Sequence, residues 1–454
     1  MTNNWVKEPL LENLFFPNEI QKRHQLFIAL SGGSDSLALL FLIKAYLEKH
    51  NLSNKLYALT VDHQLRAEST KEALWVQNLC AQYNIPHKIL TWEGIKPLTN
   101  LAKKARENRY RLLIDEIKNY NSPILFTGHT QNDQAETYYM RLARNSELGL
   151  SAMARISYLV DGKKRMLLIR PLLKLSRSSL QNYLQKNGQS WINDPSNEDL
   201  RYERIRYRKK LTKAQILTAE KQVHLVAQKR KNIICATTQL LHNIKPEFSY
   251  NCFAFSYIKE NENLLDNEYL PFLLAIISAI LGNKNYFPGK KEIEFLKDKF
   301  CQAKEERITL TLQGTVLQKN KGKCLLWREN RHILPKMLLP FSKLIWDNRF
   351  LIENNSQNAF YIRQPTEEEI KDLLPKEDNK QKLYHRPALK TVFAIESLKK
   401  QTVEIPLLSL KKPFKNEKIK INHSLQPFLW LISSYDWPLY KKLSTIFKIN
   451  LKNI

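Results

Sequence analysis

The only Gly-Gly pair in this chain lies between an apolar segment and a helix-like one, and it restricts the possible folds more than any other feature. Glycine is scarce, with 11 residues in a chain of 454. The segment before the pair, Gln25–Ser31, is typical of a buried strand, and Ser34–His50 after it has helical periodicity. Glycines at such a junction let the backbone turn tightly and approach a ligand without a Cβ atom in between.

The segments that follow alternate in the same way as far as residue 144. Strands are predicted at Lys55–Asp62, His87–Thr91 and Pro123–Gly128, and helices at Ser69–Tyr83, Asn100–Asn119 and Gln131–Arg144. Ser69 is the expected N-cap of its helix, because Glu72 follows three residues later. The alternation predicts an α/β fold with a doubly wound parallel sheet, which binds ligands beyond the carboxyl ends of its strands.

Positive charge dominates the chain, with 72 Lys and Arg against 44 Asp and Glu and a formal net charge of +28. Such an excess favours a polyanionic partner, because binding to phosphates releases their counterions. A Lys-rich composition that only decorates the surface is the alternative. The charge is concentrated between Arg201 and Lys231, where eleven basic residues stand against two acids, Glu203 and Glu220. We expect a basic helix from Leu211 onward that joins two domains.

The cysteines form neither a CxxC pair nor a Cys/His cluster with zinc-binding spacing; they are Cys80, Cys235, Cys252, Cys301 and Cys324. We therefore expect buried, reduced thiols and a cytoplasmic location. Residues Met1 to Phe16 lack the apolar core of a signal peptide. The longest apolar run, Leu270–Leu281, is too short to span a bilayer and contains Pro271. It is predicted to be a buried helix, and no membrane partner is expected.

The length of the chain allows two or three domains, and we place borders after residues 210 and 340. The first domain, residues 1–210, holds the alternating segments. Residues 211–340 start with the basic helix and include two predicted strands, Arg307–Leu312 and Lys323–Arg328. Residues 341–454 are Lys-rich and contain a polar stretch at Asn354–Asn358 and an acidic one at Thr366–Asp378, which are typical of a boundary.

The turn with the glycine pair has the sequence Ser31-Gly32-Gly33-Ser34-Asp35-Ser36. Its N–H groups can form an anion-binding site at a helix N-terminus, where the helix dipole favours phosphate. The hydroxyl groups of Ser34 and Ser36 add donors, and Asp35 suits such a site if Mg²⁺ bridges it to the phosphates. An ordinary strand–helix turn with a serine cap is the alternative. The turn matches neither the Walker A pattern nor the dinucleotide-binding fingerprint.

The same turn resembles the PP-loop, SGGxDS, of the ATP pyrophosphatases, and other motifs resemble the tRNA(Ile)-lysidine synthetases of that superfamily. These motifs are Val61–Arg66 (VDHQLR), Ala105–Tyr110 (ARENRY), Gly128–Thr137 (GHTQNDQAET), Arg170–Leu173 (RPLL), Trp191–Asn197 (WINDPSN) and the pair Arg204 and Arg208. Each motif is short, but the ordered set covers residues 25–210. The resemblance implies a Rossmann-like ATP-binding domain of the adenine-nucleotide α-hydrolase type. A mainly helical domain and a small α+β domain, both for tRNA binding, would follow it.

The resemblance also implies a reaction. In this family ATP adenylates the C2 oxygen of the wobble cytidine in the isoleucine tRNA with a CAU anticodon. The ε-amine of lysine then displaces AMP to give lysidine, which changes the codon specificity from AUG to AUA. The chain is thus expected to be a ligase that forms a carbon–nitrogen bond. Its expected cofactors and partners are ATP, Mg²⁺, L-lysine and tRNA(Ile), and a homodimer is expected from the family.

By the same resemblance, the ATP site comprises Ser31, Gly32, Gly33, Ser34, Asp35, Ser36, Asp62, His63 and His129. The candidate Mg²⁺ ligands are Asp35 and Asp133. The candidate catalytic residues are Asp35, Asp133, Glu136, Arg106 and Arg109, and the candidate tRNA contacts are Arg144, Arg170, Arg204 and Arg208. Asp133 and Glu136 share a helix face and suit an ammonium group or a metal ion. Guanidinium groups suit phosphates and developing negative charge.

Structural roles are the alternative for each of these residues. Asp62 and His63 can simply cap a strand end, and Asp133 and Glu136 can be a charge pair at a helix N-terminus. His129 alone is more often a structural histidine. The arginines can belong to a solvated basic surface, and a cation such as Arg144 is expected near a helix C-terminus for the dipole alone.

One loop departs from the family pattern, and other functions stay open. The family prefers RGSGxxGL after the Gln131–Arg144 helix, whereas Asn145 and Glu147 stand at glycine positions here and the loop is one residue shorter. In the C-terminal half only Ile405–Leu408 (IPLL) resembles the family. A tRNA thiolase would use a cysteine pair, which the N-terminal region lacks. An amide-forming PP-loop synthetase would not need the basic segment, and the retained acids argue against a non-catalytic RNA-binding protein.

Overall fold

A computed structural model describes residues 14–15, 19–20, 24–97, 99–161, 164–193, 199–259, 262–373, 386–398, 402–406, 418–423, 425, 427–428 and 431–447. The chain forms two compact units: Met1–Lys231 with Trp430–Trp437 and Lys452–Ile454, and Asn232–Leu429 with Pro438–Leu451. By contacts the first unit ends after Lys231 in its main segment, and the domain borders predicted after residues 210 and 340 stay predictions. Three predicted features lie partly outside the described residues, namely the motifs at 191–197 and 405–408 and the acidic stretch at 366–378.

The secondary-structure elements are numbered in chain order. Up to residue 243 they are β1 (Gln25–Ala29), α1 (Ser34–Lys49), β2 (Leu56–Asp62), α2 (Ser69–Gln82), β3 (His87–Thr91), α3 (Leu101–Ile117), β4 (Pro123–Thr127), α4 (Gln131–Leu142), β5 (Ile156–Asp161), β6 (Lys164–Ile169), α5 (Arg177–Lys186), α6 (Glu203–Lys210) and α7 (Lys213–Asn243). They continue with β7 (Glu247–Ser249), β8 (Cys252–Ser256), β9 (Ile258–Lys259), β10 (Glu262–Asn263), α8 (Leu270–Leu281), α9 (Lys290–Leu296), β11 (Ile308–Leu312), β12 (Thr315–Asn320), β13 (Lys323–Arg328) and β14 (Lys336–Leu338). The last are β15 (Lys343–Trp346), β16 (Phe350–Asn354), β17 (Phe360–Arg363), α10 (Glu367–Leu373), α11 (Arg386–Leu389), β18 (Ala394–Ser397), β19 (Val403–Glu404), β20 (Ile419–His423), β21 (Leu431–Ser433) and α12 (Trp437–Ile446).

A seven-stranded sheet with the order β21-β5-β6-β4-β1-β2-β3 forms the centre of the first unit. Strands β3, β2, β1, β4 and β6 are parallel, while β5 and β21 add an antiparallel edge. The predicted parallel α/β fold of the N-terminal part is thus confirmed. Since β1 pairs with both β2 and β4, the loops that follow β1 and β4 lie side by side at the carboxyl ends of the strands, where such sheets bind ligands.

The sheet has apolar layers on both faces, because successive strand side chains point to opposite sides. Leu26 and Ile28 of β1 belong to the core shared with α1 and α5, whereas Phe27 belongs to the core shared with α3. Helix α1 is buried over most of its length and lies directly under the turn that precedes it. Each fully buried Leu or Phe contributes roughly 1.5–3 kcal/mol, so this core fixes the position of the turn.

Three predictions need correction. The N-cap of α2 is Glu68 and not Ser69, because the Ser69 hydroxyl donates to Asp62 Oδ1 at 2.8 Å. The basic segment forms two helices, α6 and α7, so the helical part begins before Leu211. Cys235 is exposed, while the other four cysteines are buried. No helix within the described ranges is long and apolar enough to cross a membrane.

The second unit contains an antiparallel sheet in the order β11-β12-β13-β8-β7, packed against α8, whose twelve residues are all buried. Smaller sheets have the orders β14-β17-β18-β19 and β15-β16-β20. The region predicted to be mainly helical therefore includes a five-stranded sheet, of which only β11 and β13 were predicted. Strand β12 escaped prediction because it carries the polar sequence Gln318-Lys319-Asn320. Lys319 is nevertheless buried, since its ammonium donates to the carbonyls of Phe300 and Ala303 at 3.0 and 2.9 Å.

Candidate active site

The turn between β1 and α1 requires glycine at Gly32. This residue has a φ of +81°, and a Cβ atom on it would lie 2.5 Å from Ile192 Cδ1 and 2.9 Å from Val76 Cγ2. The backbone N–H of Ile192 also donates to the Gly32 carbonyl at 2.9 Å. Ile192, from the predicted WINDPSN motif, therefore holds the turn in place.

The Ser36 hydroxyl forms hydrogen bonds to the backbone within the turn. The N-terminus of α1, which follows the turn, has no side-chain cap among the described residues. Ser36 Oγ donates to the Gly33 carbonyl at 3.0 Å and accepts from the Ser31 N–H at 3.2 Å. Gly33 is the N-cap of α1, and no described side chain caps it. The first N–H groups of a helix have no partner inside the helix, and the dipole adds positive potential there. The turn thus has the features of a phosphate-binding site.

The loop after β4 packs directly on this turn. A Cβ atom on Gly128 would lie 2.9 Å from the Asp35 carbonyl oxygen and 3.0 Å from the Ser36 nitrogen. Glycine is therefore required at residue 128 to let the two backbones approach. This contact brings the start of α4, with its acidic residues, to the start of α1.

Three carboxylates meet at this point around one arginine that the sequence did not single out. Arg177, the first residue of α5, directs Nε to Asp35 Oδ2 at 2.9 Å and Nη2 to Asp133 Oδ1 at 3.4 Å. Its Nη1 lies 3.8 Å from Glu136 Oε1. Asp35, Asp133 and Glu136, which the sequence predicted as catalytic residues, are thus brought together by a shared cation.

Helix α6 adds two further guanidinium groups to the acids of α4. Arg204 donates to Asp133 Oδ1 at 2.8 Å and to Glu136 Oε2 at 2.7 Å, and Arg208 donates to Glu136 Oε1 at 2.9 Å. Only 1% of the Glu136 side chain is exposed. Glu136 thus has both oxygens occupied by arginines, and α6 is fixed on α4 through these ion pairs.

Burial and charge act in opposite directions on the two aspartates. Burial tends to raise the pKa of Asp133, but Arg204, His129, Arg177 and the Thr130 N–H lower it to about 2. Burial raises the pKa of Asp35, and the neighbouring Asp133 carboxylate raises it further, while Arg177 opposes both. Asp133 is therefore firmly ionised at neutral pH, whereas the ionised state of Asp35 depends on Arg177.

A second group of arginines has no carboxylate partner within the described part of the chain; it consists of Arg106, Arg109 and Arg170. The Arg106 guanidinium lies 5.0 Å from the Tyr110 ring centroid, and Arg109 Nε donates to His63 Nε2 at 3.2 Å. Arg170 donates to the Ala154 carbonyl at 2.7 Å and to Ser157 Oγ at 2.9 Å. Its buried Nε has no hydrogen-bond partner among the described residues.

Burial, with a contribution from these cations, lowers the pKa of two histidines of the site. Burial and the nearby Arg170 lower the pKa of His129 to about 3, although Asp133 opposes the shift. Burial, Arg109 and Lys96 lower the pKa of His63 to about 4. The group of Arg106, Arg109 and Arg170 therefore carries positive charge that no nearby acid cancels, which is the electrostatic signature of an anion-binding region.

Two predicted ligand contacts, Asp62 and Arg170, form hydrogen bonds within the fold. Asp62 accepts from the Gln64 N–H at 2.9 Å, from Ser69 Oγ at 2.8 Å and from Thr70 Oγ1 at 2.7 Å. Its carboxylate thus caps the loop between β2 and α2, as the structural alternative expects. Arg170 is 2% exposed, so its guanidinium lies inside the fold, and its contact with tRNA stays a prediction.

The other predicted tRNA contacts have different surroundings. Arg204 and Arg208 point at the acids of α4, so a phosphate contact by the same nitrogens would break ion pairs. Arg144 is exposed and forms an ion pair with Glu203 of α6. The structure thus brings together the turn, Asp35, Asp133, Glu136 and His129, and it leaves Arg144 at the surface.

The chain has close similarity to known proteins. A family model described as a PP-loop domain matches residues 6–215. A tRNA(Ile)-lysidine synthase from Bartonella tribocorum is 30% identical over 499 residues, covering 98% of this chain and 99% of the relative. The chain belongs to the tRNA(Ile)-lysidine synthase family. A synthase of the same name from Brucella suis biovar 1 is 34% identical over 80% of this chain and 81% of its own. The U34-tRNA thiolase NcsA from Methanococcus maripaludis, a solved structure, is 18% identical with a TM-score of 0.40 and covers 48% of this chain and 77% of that one.

The loop after α4, where this chain departs from the glycine-rich pattern, forms without those glycines. Asn145 adopts a φ of +51°, a conformation that asparagine tolerates better than most residues with a Cβ atom. Glu147 has a φ of −54°, which any residue adopts. Gly149 is retained, and a Cβ atom there would lie 2.3 Å from Ser146 Oγ. The substitutions in this family member thus leave a loop with ordinary backbone geometry.

Sequence reasoning missed Arg177 and its support, Asn132. The Arg177 N–H donates to Asn132 Oδ1 at 2.9 Å, which joins α5 to the start of α4. One signal could have found it, since a cation in the first turn of a helix opposes the helix dipole. An arginine in the first turn of a helix needs a compensating acid, and Asp133 of the motif GHTQNDQAET is such an acid.

Proposed function

We propose that this chain ligates lysine to C2 of the wobble cytidine in the isoleucine tRNA with a CAU anticodon, using ATP, and so forms lysidine. One observation carries the proposal. At one edge of the parallel sheet, an uncapped glycine turn meets Asp35, Asp133 and Glu136 in a member of the tRNA(Ile)-lysidine synthase family. The relatives are named for this product, and they match the chain over nearly its whole length.

In the first step of the proposal, the C2 oxygen of cytidine attacks the α-phosphorus of ATP and pyrophosphate leaves. The N-terminus of α1 suits the phosphates, because its N–H groups and its dipole both favour anions. Arg106, Arg109 and Arg170 supply positive charge without nearby carboxylates, so they can stabilise the charge that develops during transfer. Arg170 would act from inside the fold, whereas Arg106 and Arg109 reach the surface.

We propose Asp35 and Asp133 as the ligands of Mg²⁺. Both carboxylates contact the Arg177 guanidinium, so their oxygens already converge on one cationic group. Two converging carboxylates fit Mg²⁺, which is commonly held by one or two carboxylates together with substrate phosphates. When bound, the ion would neutralise charge on the phosphates.

In the second step, the ε-amine of lysine attacks C2, the bond from C2 to the AMP oxygen breaks, and the amine proton passes to water. The ε-ammonium normally has a pKa of about 10.4, so it must lose a proton before it attacks. Asp133, with a pKa of about 2, is a weak base and is better suited to holding a cation. Glu136 lies between the guanidinium groups of Arg204 and Arg208, and its carboxylate therefore also pairs with cations.

The basic segment supports a tRNA partner. Exposed cations of α6 and α7 in the first unit include Arg206, Lys209, Lys210, Lys213 and Lys221. Cys80 is buried, and burial raises the pKa of its thiol to about 12, which argues against a thiolation chemistry at this site. The homodimer, and the separate tRNA-binding domains at 211–340 and 341–454, stay proposals from the family.

The test is incorporation of radiolabelled lysine into tRNA transcripts with ATP and Mg²⁺. We expect labelling of the CAU isoleucine tRNA, no labelling of elongator methionine tRNA, and loss of labelling in Asp35→Ala. Pyrophosphate release without labelling would keep the adenylation and reject lysine as the nucleophile. Neither signal, from protein with an unchanged circular dichroism spectrum, would contradict an enzymatic role.

A further inference from the structure

Arg177 occupies a position that helix stability does not explain. It is the first residue of α5, where the helix dipole disfavours a cation. Its backbone is nevertheless held firmly, because its N–H donates to Asn132 Oδ1 at 2.9 Å, and only 20% of its side chain is exposed. The residue is thus built into the site and is not a solvated surface arginine.

Each nitrogen of the Arg177 guanidinium faces a different carboxylate of the site. The distances are 2.9 Å from Nε to Asp35, 3.4 Å from Nη2 to Asp133 and 3.8 Å from Nη1 to Glu136. The guanidinium is planar and its three nitrogens point in different directions, so it can hold three carboxylates at a fixed spacing. A lysine ammonium on its flexible side chain is less suited to this. The guanidinium therefore sets the distance between Asp35 and Asp133.

The two aspartates depend on Arg177 to different degrees. Asp133 has a second guanidinium from Arg204 at 2.8 Å and accepts from the Thr130 N–H at 2.8 Å. Asp35 has one cationic partner among the described residues, which is Arg177, and otherwise only the Ser34 hydroxyl at 3.3 Å. A different cation near Asp35 would thus replace Arg177 at that carboxylate while Asp133 kept its other partners.

We propose that Arg177 is a positioning residue that holds the cation position between Asp35 and Asp133 and yields it to Mg²⁺, its guanidinium then pairing with the triphosphate. The inference rests on the proposed ATP and Mg²⁺ site. It assigns Arg177 two opposite effects. The side chain competes with a bare divalent cation for the carboxylates, and it favours the nucleotide by contributing positive charge next to the turn.

The expected changes in metal affinity and in nucleotide affinity have opposite signs, and this distinguishes the proposed role from simple structural support. Loss of Arg177 removes a competitor, so the protein should bind Mn²⁺ more tightly in the absence of nucleotide. The same change removes a cation from the phosphate region, so a non-hydrolysable ATP analogue should bind more weakly at saturating Mg²⁺. A residue that merely keeps the site folded would weaken both kinds of binding when it is replaced.

The experiment measures both affinities in the full-length protein without tRNA or lysine. Mn²⁺ binding is followed by electron paramagnetic resonance, and binding of the analogue by calorimetry. For Arg177→Ala we expect Mn²⁺ affinity to rise and analogue affinity to fall, each on the order of tenfold. Arg177→Lys should show the same signs with smaller changes. Lys186→Ala, at the exposed far end of α5, is the matched control and should change neither affinity.

Losses of both affinities in Arg177→Ala and Arg177→Lys, or no change in either, would overturn the proposal. If Arg177→Ala does not fold, the signs in Arg177→Lys decide the question. Asp35→Asn separates this inference from the proposed function. If Asp35→Asn binds Mn²⁺ as tightly as the parent protein, the metal assignment fails and the role of Arg177 falls with it. If Asp35→Asn loses Mn²⁺ but Arg177→Ala is unchanged, only the role of Arg177 is rejected.

Discussion

Two groups of arginines lie within the same site and differ in what accompanies them. Arg177, Arg204 and Arg208 form ion pairs with the carboxylates of Asp35, Asp133 and Glu136, so their formal charges cancel. The second group, Arg106, Arg109 and Arg170, has neutral histidines and no acid among its described partners. The first group holds the protein's own anions in place, and the second leaves positive charge available for an anion from outside.

The comparison teaches that an arginine near an active site can have either of two roles, and that its partners decide which. Breaking a paired arginine or its acid leaves a buried charge uncompensated, which mainly costs stability. Removing an unpaired arginine relieves repulsion between like charges and mainly costs ligand binding. Stability and activity should therefore respond in opposite ways to substitutions in the two groups.

The largest effect is expected for Glu136→Ala in the paired group. It removes the carboxylate that Arg204 and Arg208 share and leaves Arg204 with Asp133 alone, so we expect the free energy of unfolding of the first unit to fall by about 3 kcal/mol. Glu136→Gln retains an oxygen that accepts hydrogen bonds and should cost less. Urea unfolding followed by circular dichroism measures both. A loss below about 0.5 kcal/mol for Glu136→Ala would show that the ion pairs do not hold α6 on α4.

The next effect concerns the unpaired group. We expect Arg106→Ala and Arg109→Ala each to lower kcat/KM for tRNA by about 100-fold, because each removes charge that stabilises the transferring phosphate. Their free energy of unfolding should stay within about 0.5 kcal/mol of the parent value or rise. The kinetics of lysine incorporation give kcat/KM, and urea unfolding gives the free energy of unfolding. Destabilisation as large as that of Glu136→Ala would erase the distinction between the groups.

A smaller effect is expected on the titration of His63. Its pKa is lowered to about 4 by burial and by Arg109, so the unfolded chain takes up the proton first as the pH falls below about 6.5. His63 therefore reduces stability progressively between about pH 6.5 and pH 4, and not above that window.

In Arg109→Gln the pKa of His63 should rise toward its ordinary value, and this acid-induced loss of stability should shrink. The histidine Cε1–H resonance in an NMR pH titration checks the pKa directly, with half-buried His87 as the control, because burial alone lowers the pKa of His87 to about 4. An unchanged His63 pKa would mean that burial alone accounts for the shift.

The smallest effect is expected for the exposed pair of Arg144 and Glu203, whose side chains are 57% and 32% exposed. Such surface pairs contribute little, so Glu203→Gln should change the free energy of unfolding by less than about 0.5 kcal/mol. Thermal unfolding is a sufficient measurement. A loss comparable to that of Glu136→Ala would show that charge pairing matters equally at the surface and in the buried group.

Much of the first unit could be predicted because its signals are local. The alternation of segments predicts the parallel strands β1 to β4, and the glycine scarcity singles out the turn at Gly32. The antiparallel edge with β21 could not be predicted, because it pairs Leu431 with Leu159, which lie far apart in the sequence. Strand β12 of the second unit could not be predicted for a different reason, namely that its Lys319 is buried through carbonyl contacts that no local pattern reveals.

The residue types and their order alone determined the phosphate-binding turn, the acids of α4 and the family to which they belong, since these depend on short motifs. Tertiary structure decided which arginines meet which acids. Arg177 and Asp35 lie 142 positions apart, and Arg204 and Asp133 lie 71 apart. A sequence shows that a chain has charges to pair. The pairing itself depends on distances of a few ångströms, which the packing of α5 on α1 and of α6 on α4 fixes.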